Sequence, residues 1–258
     1  MNSLTQLVAA ACCVFGFALC AEAYSNKDSR VFETRVYYAA AGKLDALNSR
    51  FRDHTIKLFE KHGIANVGYW MPVENPDRKL IYVLSYPSRE AREKSWKAFM
   101  ADPDWQKAYK ASEENGKLVD KVDSFFMNVT DYSPKVKSPE NKAPRVFELR
   151  TYTATARNLG NLNERFRKYT CRLFKKHGMT NVAYWNLMPD QKNADNKLIY
   201  ILAHKSQEAA KASFDAFRKD TKWEKVKKAS EEKGGGSLTT PNGVESVFML
   251  PTDYSPIK

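Results

Sequence analysis

The chain has 258 residues, 43% of them hydrophobic and 12% aromatic, with a formal net charge of +12 and a mean hydropathy of −0.59. That is enough apolar material to build a core, and it excludes a disordered chain, a collagen-like or linker-like chain and a polytopic membrane protein. The excess of lysine and arginine attracts anions, but it is spread along the chain among carboxylates, and no nucleic-acid-binding signature accompanies it.

Leu4 to Leu19 is apolar and uncharged, and Ala21-Glu22-Ala23 fits a small-x-small cleavage site. Residues 1–23 are therefore expected to be a signal peptide, or else a retained N-terminal membrane anchor, placing the protein outside the cell or in a periplasm. The first basic residue is Lys27, which argues against an arginine-rich transit peptide, and Leu19 before Cys20 argues against a lipoprotein. Cys12, Cys13 and Cys20 would leave with this segment, and Cys171 alone cannot form an internal disulfide. Cys171 stands opposite Ile56 in the repeat described below and reads as a buried, inert thiol.

Val31 to Tyr38 is β-branched and aromatic and predicts a strand. Leu44, Leu47, Phe51, Leu58 and Phe59 keep helical spacing up to a stop at Gly63. Asn66 to Trp70 and Leu80 to Tyr86 predict two further strands around a Pro- and Asp-containing turn. Ser88 can cap a helix carrying Ala91, Trp96 and Phe99; Asp102-Pro103 interrupts it, and a second stretch carries Trp105 and Tyr109. Ser124 to Val129 predicts the closing strand. The order is β-α-β-β-α-β, the ferredoxin-like arrangement.

The whole pattern then recurs. Arg30-Val-Phe-Glu-Thr-Arg-Val-Tyr returns as Arg145-Val-Phe-Glu-Leu-Arg-Thr-Tyr, Phe59-Glu-Lys-His-Gly as Phe174-Lys-Lys-His-Gly, and Asp131-Tyr-Ser-Pro as Asp253-Tyr-Ser-Pro. Residues 30–134 and 145–256 are the two units, and 135–144, with its prolines and charges, reads as an exposed linker. A four-stranded sheet with helices on one face leaves its other face bare, and two copies in one chain can cover each other. The expected fold is α+β: two tandem ferredoxin-like units forming a pseudo-dimeric α/β barrel, with any higher oligomer left open.

Phe32-Glu33-x-Arg35-x-Tyr37 and Phe147-Glu148-x-Arg150-x-Tyr152, with the Tyr69-Trp70 and Tyr184-Trp185 strands and the Lys-His-Gly helix ends, resemble the NIPSNAP family. The resemblance covers both units. It implies a dimeric α/β-barrel fold and a bacterial, exported tandem member; it implies no catalytic residue set.

Alternation puts Val31, Glu33, Arg35 and Tyr37 on one face of the first strand, and Phe32, Thr34 and Val36 on the other. The apolar set is expected to meet the helices. Glu33, Arg35, Tyr37, Glu148, Arg150 and Tyr152 would then line a polar cavity between the two sheets, where arginine could hold a carboxylate or phosphate and glutamate could act as a base. The competing reading is a Glu–Arg ion pair that fixes register. His62 and His177 read as helix-end cations, or alternatively as acid/base groups at a cavity mouth. Trp70 and Trp185 read as core or pocket lining. His54 and His204 are Tyr169 and Tyr86 in the other copy, and no spacing supports either as a haem ligand. Arg50, Arg52, Arg165 and Arg167 recur on the first helix and read as surface ion-pairing residues or, alternatively, as groups that bind an anionic partner. No metal-site spacing and no phosphate loop stand out, so no cofactor and no metal are expected. The function these residues suggest is binding of a small anionic or polar ligand, or of a protein partner, with a metal-free oxygenase or isomerase as the alternative.

Overall fold

Strand β1, Val31–Ala39, opens the fold in the computed structural model, which describes residues 28–136 and 145–258. The leader 1–23 and residues 137–144 of the linker lie outside the described residues. β1 is followed by helix α1 (Leu44–Arg50), a π-helical turn (Phe51–Thr55) and α2 (Ile56–Lys61), where the spacing of apolar residues alone predicts one continuous helix. At the wide turn the Ile56 N–H reaches back to the Phe51 carbonyl, and the Thr55 hydroxyl donates to the carbonyl of Arg50 at 3.1 Å. Such single π turns recur at functional sites because they re-aim side chains within a helix.

Strands β2 (Ala65–Pro72) and β3 (Lys79–Tyr86) follow, then α3 (Arg89–Ala101), α4 (Pro103–Ser112) and β4 (Val119–Val129). Ser88 caps α3 by accepting from the Ala91 N–H at 3.1 Å. Asp102 ends α3 and caps α4 through the Asp104 N–H at 2.8 Å, with Pro103 in the first helical turn, where its missing N–H costs nothing. The second unit repeats the order as β5 (Val146–Ala154), α5 (Leu159–Arg165), a π turn (Phe166–Thr170), α6 (Cys171–Lys176), β6 (Thr180–Leu187), β7 (Lys197–His204), α7 (Gln207–Arg218), α8 (Thr221–Lys233) and β8 (Thr239–Pro251).

Among the described residues the eight strands close into one antiparallel barrel in the order β1-β3-β2-β8-β5-β7-β6-β4. Within a unit the strands pair over long registers. The two seams between units are short: Trp70–Pro72 against β8, and Met127–Val129 against β6. Each seam is reinforced by the Asp-Tyr-Ser motif that ends one unit and docks on the other. Thr130 and Ser133 bracket the backbone of Tyr184, Tyr132 donates to Asn163 at 2.7 Å, and Asp131 accepts a forked pair of hydrogen bonds from Arg167. The mirror set joins Thr252 and Ser255 to Tyr69, Tyr254 to Asn48 at 2.6 Å, and Asp253 to Arg52. Arg52 and Arg167 are thus the exposed ion-pairing groups expected, whereas Arg50 and Arg165 are buried.

The barrel interior is apolar and filled. Phe32 and Phe147, Trp70 and Trp185, Met127 and Met249 meet there, with the Phe32–Trp185 and Phe147–Trp70 ring centroids 5.8 and 5.7 Å apart. Tilted aromatic pairs of this kind add about 0.5–1.5 kcal/mol each beyond the area they bury. The alternation of β1 is as expected but its facing is reversed: Phe32 and Val36 point into the barrel, and Glu33, Arg35 and Tyr37 lie under the helices. The physical reason is the closed interior, which offers a charge neither water nor a partner, whereas the helix layer supplies arginine side chains and an open edge. Val136, at the start of the linker, is buried with Ile257 against the same interior cluster.

Candidate functional site

Glu33 is fully buried near the start of β1 and accepts hydrogen bonds from several side chains. Its Oε1 accepts from Arg35 at 2.6 Å and from the Ser124 hydroxyl at 2.7 Å. From α3, Arg92 spans both oxygens at 3.0 and 3.1 Å, and the Tyr86 hydroxyl donates to Oε2 at 2.9 Å while accepting from the Trp96 indole N–H at 2.7 Å. Burial pushes the Glu33 carboxyl up, but the Arg92 hydrogen bonds and the Arg35 charge outweigh it and hold it below the usual carboxylate range. Burial likewise opposes the Arg35 cation, and the Tyr82 and Tyr37 oxygens with Glu33 more than offset it. Glu33 is therefore an ionised anchor and not a raised-pKa base.

The second unit builds the same nest from different parts. Glu148 is held by Arg150, by the Ser246 hydroxyl at 2.6 Å and by His204 Nε2 within 2.9 Å. His204 occupies the place of Tyr86; its Nδ1 is buried and has no hydrogen-bond partner among the described residues. Ala210 stands where Arg92 would be, so no second guanidinium reaches Glu148. Burial raises the Glu148 carboxyl, and the His204 contact with the Arg150 charge brings it below the ordinary value.

Beside the first nest a cleft of about 420 Å³ opens between the sheet and the helices. Arg35 and Tyr37 form its floor, Phe51 and Thr55 of the π turn one wall, and Trp96, Trp105 and Tyr109 of α3 and α4 the roof. Arg50 enters from α1 with its guanidinium carbon 5.5 Å from the Trp105 ring and 5.2 Å from the Tyr109 ring. Its Nη1 donates to Glu113 and Ser112 at 3.2 Å, and its buried Nε has no partner. The Arg35 guanidinium sits 4.5 Å from the Trp96 ring. The cleft thus combines flat aromatic walls with cations in its floor, at a size ordinary for small-molecule sites.

Of the sequence candidates, Arg35 and Tyr37 line this cleft, with Glu33 directly behind them. Arg150 and Tyr152 repeat the arrangement beside Glu148. Trp70 and Trp185 do not belong to it; they fill the barrel interior. His62 and His177 also stand apart: they end α2 and α6 and bind the carboxylates that cap α4 and α8, Asp102 at 2.6 Å and Asp220 at 2.8 Å. Hydrogen bonds from Lys61 and His62 hold Asp102 well below its usual value. His54 is exposed, and burial pushes the Cys171 thiol up to about 12, which leaves it unreactive. Arg92, Tyr86 and the roof residues escape a reading by repeats, and Arg50, which recurs as Arg165, reads there as a surface group. Arg92 and Tyr86 differ between the copies, and Trp96 and Trp105 have ordinary core spacing.

A family model described as NIPSNAP matches residues 32–134 and again residues 147–256. No curated protein matches the chain. Among solved structures, the barrel is similar to a presumed monooxygenase from Fusobacterium nucleatum (TM-score 0.56, 9% identity, covering 86% of this chain and 92% of that one). It is also similar to a presumed monooxygenase from Lactobacillus acidophilus (TM-score 0.53, 11% identity, covering 87% and 94%). An uncharacterised NIPSNAP-like domain protein from Burkholderia xenovorans matches at TM-score 0.38 and 17% identity, covering 44% of this chain and 98% of its own. At these identities the likeness is one of fold.

Proposed function

The chain belongs to the NIPSNAP family, with two of its domains in tandem, and on that premise we propose that the first unit is a binding module for a small, flat organic acid. The observation that carries this reading is the cleft that sets Trp96, Trp105 and Tyr109 above Arg35 and Arg50. Aromatic faces supply most of the contact area for a planar body, and the arginines favour one that bears a negative charge. Around the cleft Arg35, Arg50, Lys117 and Lys121 outnumber the carboxylates Glu113 and Asp120, and Arg35 shares Glu33 with Arg92, which has Glu93 as a second partner.

What supports binding over catalysis is the state of the same groups. A metal-free oxygenase or isomerase in this cleft would need a group to take a proton, and Glu33 is saturated with donors and held ionised. The two presumed monooxygenases share the fold with this chain and carry no argument about its chemistry.

Titration of the protein with 1-naphthoate, followed by tryptophan fluorescence, tests the reading. Saturable quenching is expected, weakened about tenfold by Trp96→Leu and by Tyr109→Lys, the latter installing the side chain that the second unit has at Lys227. Absence of saturation at millimolar 1-naphthoate, or binding indifferent to both substitutions, would overturn it.

A further inference from the structure

The second unit contains a groove of about 290 Å³ between α5 with its π turn and α8. Tyr169, Val226 and Ala229 give it an apolar lining, and Lys168, Lys225 and Lys233 stand around it. Arg165 lies at its base with 7% of its surface exposed. This guanidinium is poorly compensated. Among the described residues its Nε has no partner, its Nη1 is 3.4 Å from the Ser230 hydroxyl, and its carboxylate partner, Glu231, is 3.9 Å away. Burial accordingly pulls Arg165 below its usual value, the opposite of Arg35 and Arg150. Around it, Glu164 is shared between Lys168 and Lys233 at 2.5 Å each and is held to about 2, while Lys225 has no carboxylate partner among the described residues. Arg165 and three lysines against Glu164 and the more distant Glu231 leave the groove with an excess of positive charge.

The first unit lacks this arrangement. Where the second has Lys168, Lys225 and Lys233, the first has Asp53, Lys107 and Asn115, and Arg50 there has Glu113 at 3.2 Å. The charge is therefore a property of one groove and not of the repeat.

We propose that the groove between α5 and α8 binds a phosphomonoester carried on a small apolar body. A buried, under-paired guanidinium at the base supplies a cation, and the lysines supply point charges suited to a phosphoryl group. A phosphomonoester carries about −1.5 to −2 at neutral pH, which matches this excess better than a carboxylate does. The Tyr169, Val226 and Ala229 lining takes the apolar body.

Calorimetric titration of the protein with phenyl phosphate tests the assignment. Saturable binding is expected, tighter than that of inorganic phosphate or benzoate and weaker at high salt. Lys225→Glu, at an exposed and unpaired position, should weaken it at least about fivefold with an unchanged unfolding midpoint, and Lys107→Glu at the equivalent place in the first unit should leave it unchanged. The proposal is overturned if phenyl phosphate does not saturate, if Lys107→Glu weakens binding as much as Lys225→Glu does, or if inorganic phosphate or benzoate binds equally well. Binding to phosphatidic acid vesicles without binding of phenyl phosphate would assign the charge to a membrane headgroup and overturn the small-molecule site.

Discussion

Glu33 and Glu148 occupy the same place in two copies of one unit, yet they are held in different ways. Glu33 lies between two guanidiniums, with a tyrosine and a serine completing its shell. Glu148 has one guanidinium, a serine and an imidazole with a free buried nitrogen. The β1 and β5 sequences are nearly identical, so the strands present the same carboxylate and the same arginine. The difference comes from β3 against β7 and from α3 against α7, where Tyr86 and Arg92 face His204 and Ala210. A duplicated frame can thus keep its buried charge while the layer above it diverges, and that layer is also where the aromatic roof of the first cleft is built.

Replacing the carboxylates should separate the two nests most sharply. Glu33→Gln leaves Arg35 without a counter-charge and Arg92 with only the exposed Glu93, and is expected to cost about 3–5 kcal/mol in urea unfolding. Glu148→Gln leaves one arginine and is expected to cost less, about 1–3 kcal/mol. Equal losses would remove the distinction between the nests. The Glu33 carboxyl titrates below its ordinary value in the folded state, so the stability it contributes is complete above the usual carboxylate range and is lost as the pH falls through the lowered folded value. The gap between wild type and Glu33→Gln should therefore narrow on acidification below about pH 4; a constant gap would show that the cost is steric and not electrostatic.

A smaller contrast lies inside the barrel. A Cβ at Gly68 would fall 2.2 Å from the Trp70 ring, so Gly68→Ala must displace that indole from the filled interior, at about 1–3 kcal/mol. The second unit already carries Ala183 at the same position, and Ala183→Gly should cost only about 0.5–1 kcal/mol. Thermal unfolding of the two variants reads the difference directly, and it disappears if the Trp70 and Trp185 rings are interchangeable. The smallest effect is expected at the two clasps. Arg52 and Arg167 are exposed partners of Asp253 and Asp131, and Arg52→Ala and Arg167→Ala should each leave the unfolding midpoint within error. A marked loss from one alone would reveal a seam that depends on its ion pair.

Much of this architecture was legible in the sequence. The repeated Arg-Val-Phe-Glu stretch marked β1 and β5, Ser88 marked the start of α3, and the recurrence of Asp-Tyr-Ser-Pro marked something needed twice. That this motif crosses to the other unit was not legible, because the register across a seam belongs to no single segment. The π turns were hidden as well, since apolar spacing reads Leu44 to Phe59 as one helix and the Thr55 hydroxyl on the Arg50 carbonyl leaves no periodic trace. Arg50 and Arg165, read as surface groups, are drawn inward by these turns to stack near Trp105 and Trp223.

Period-two alternation by itself sorted Glu33, Arg35 and Tyr37 from Phe32 and Val36, because successive side chains in a strand must point to opposite faces. Only the tertiary structure decided which set met the helices. Both faces of each sheet are covered, one by helices and one by the twin sheet, so a pattern along one strand could not tell the two covers apart. Closure of the barrel made that choice: its packed interior has no counter-charge to offer, and the glutamates and arginines went to the side where guanidiniums, hydroxyls and an open edge could take them.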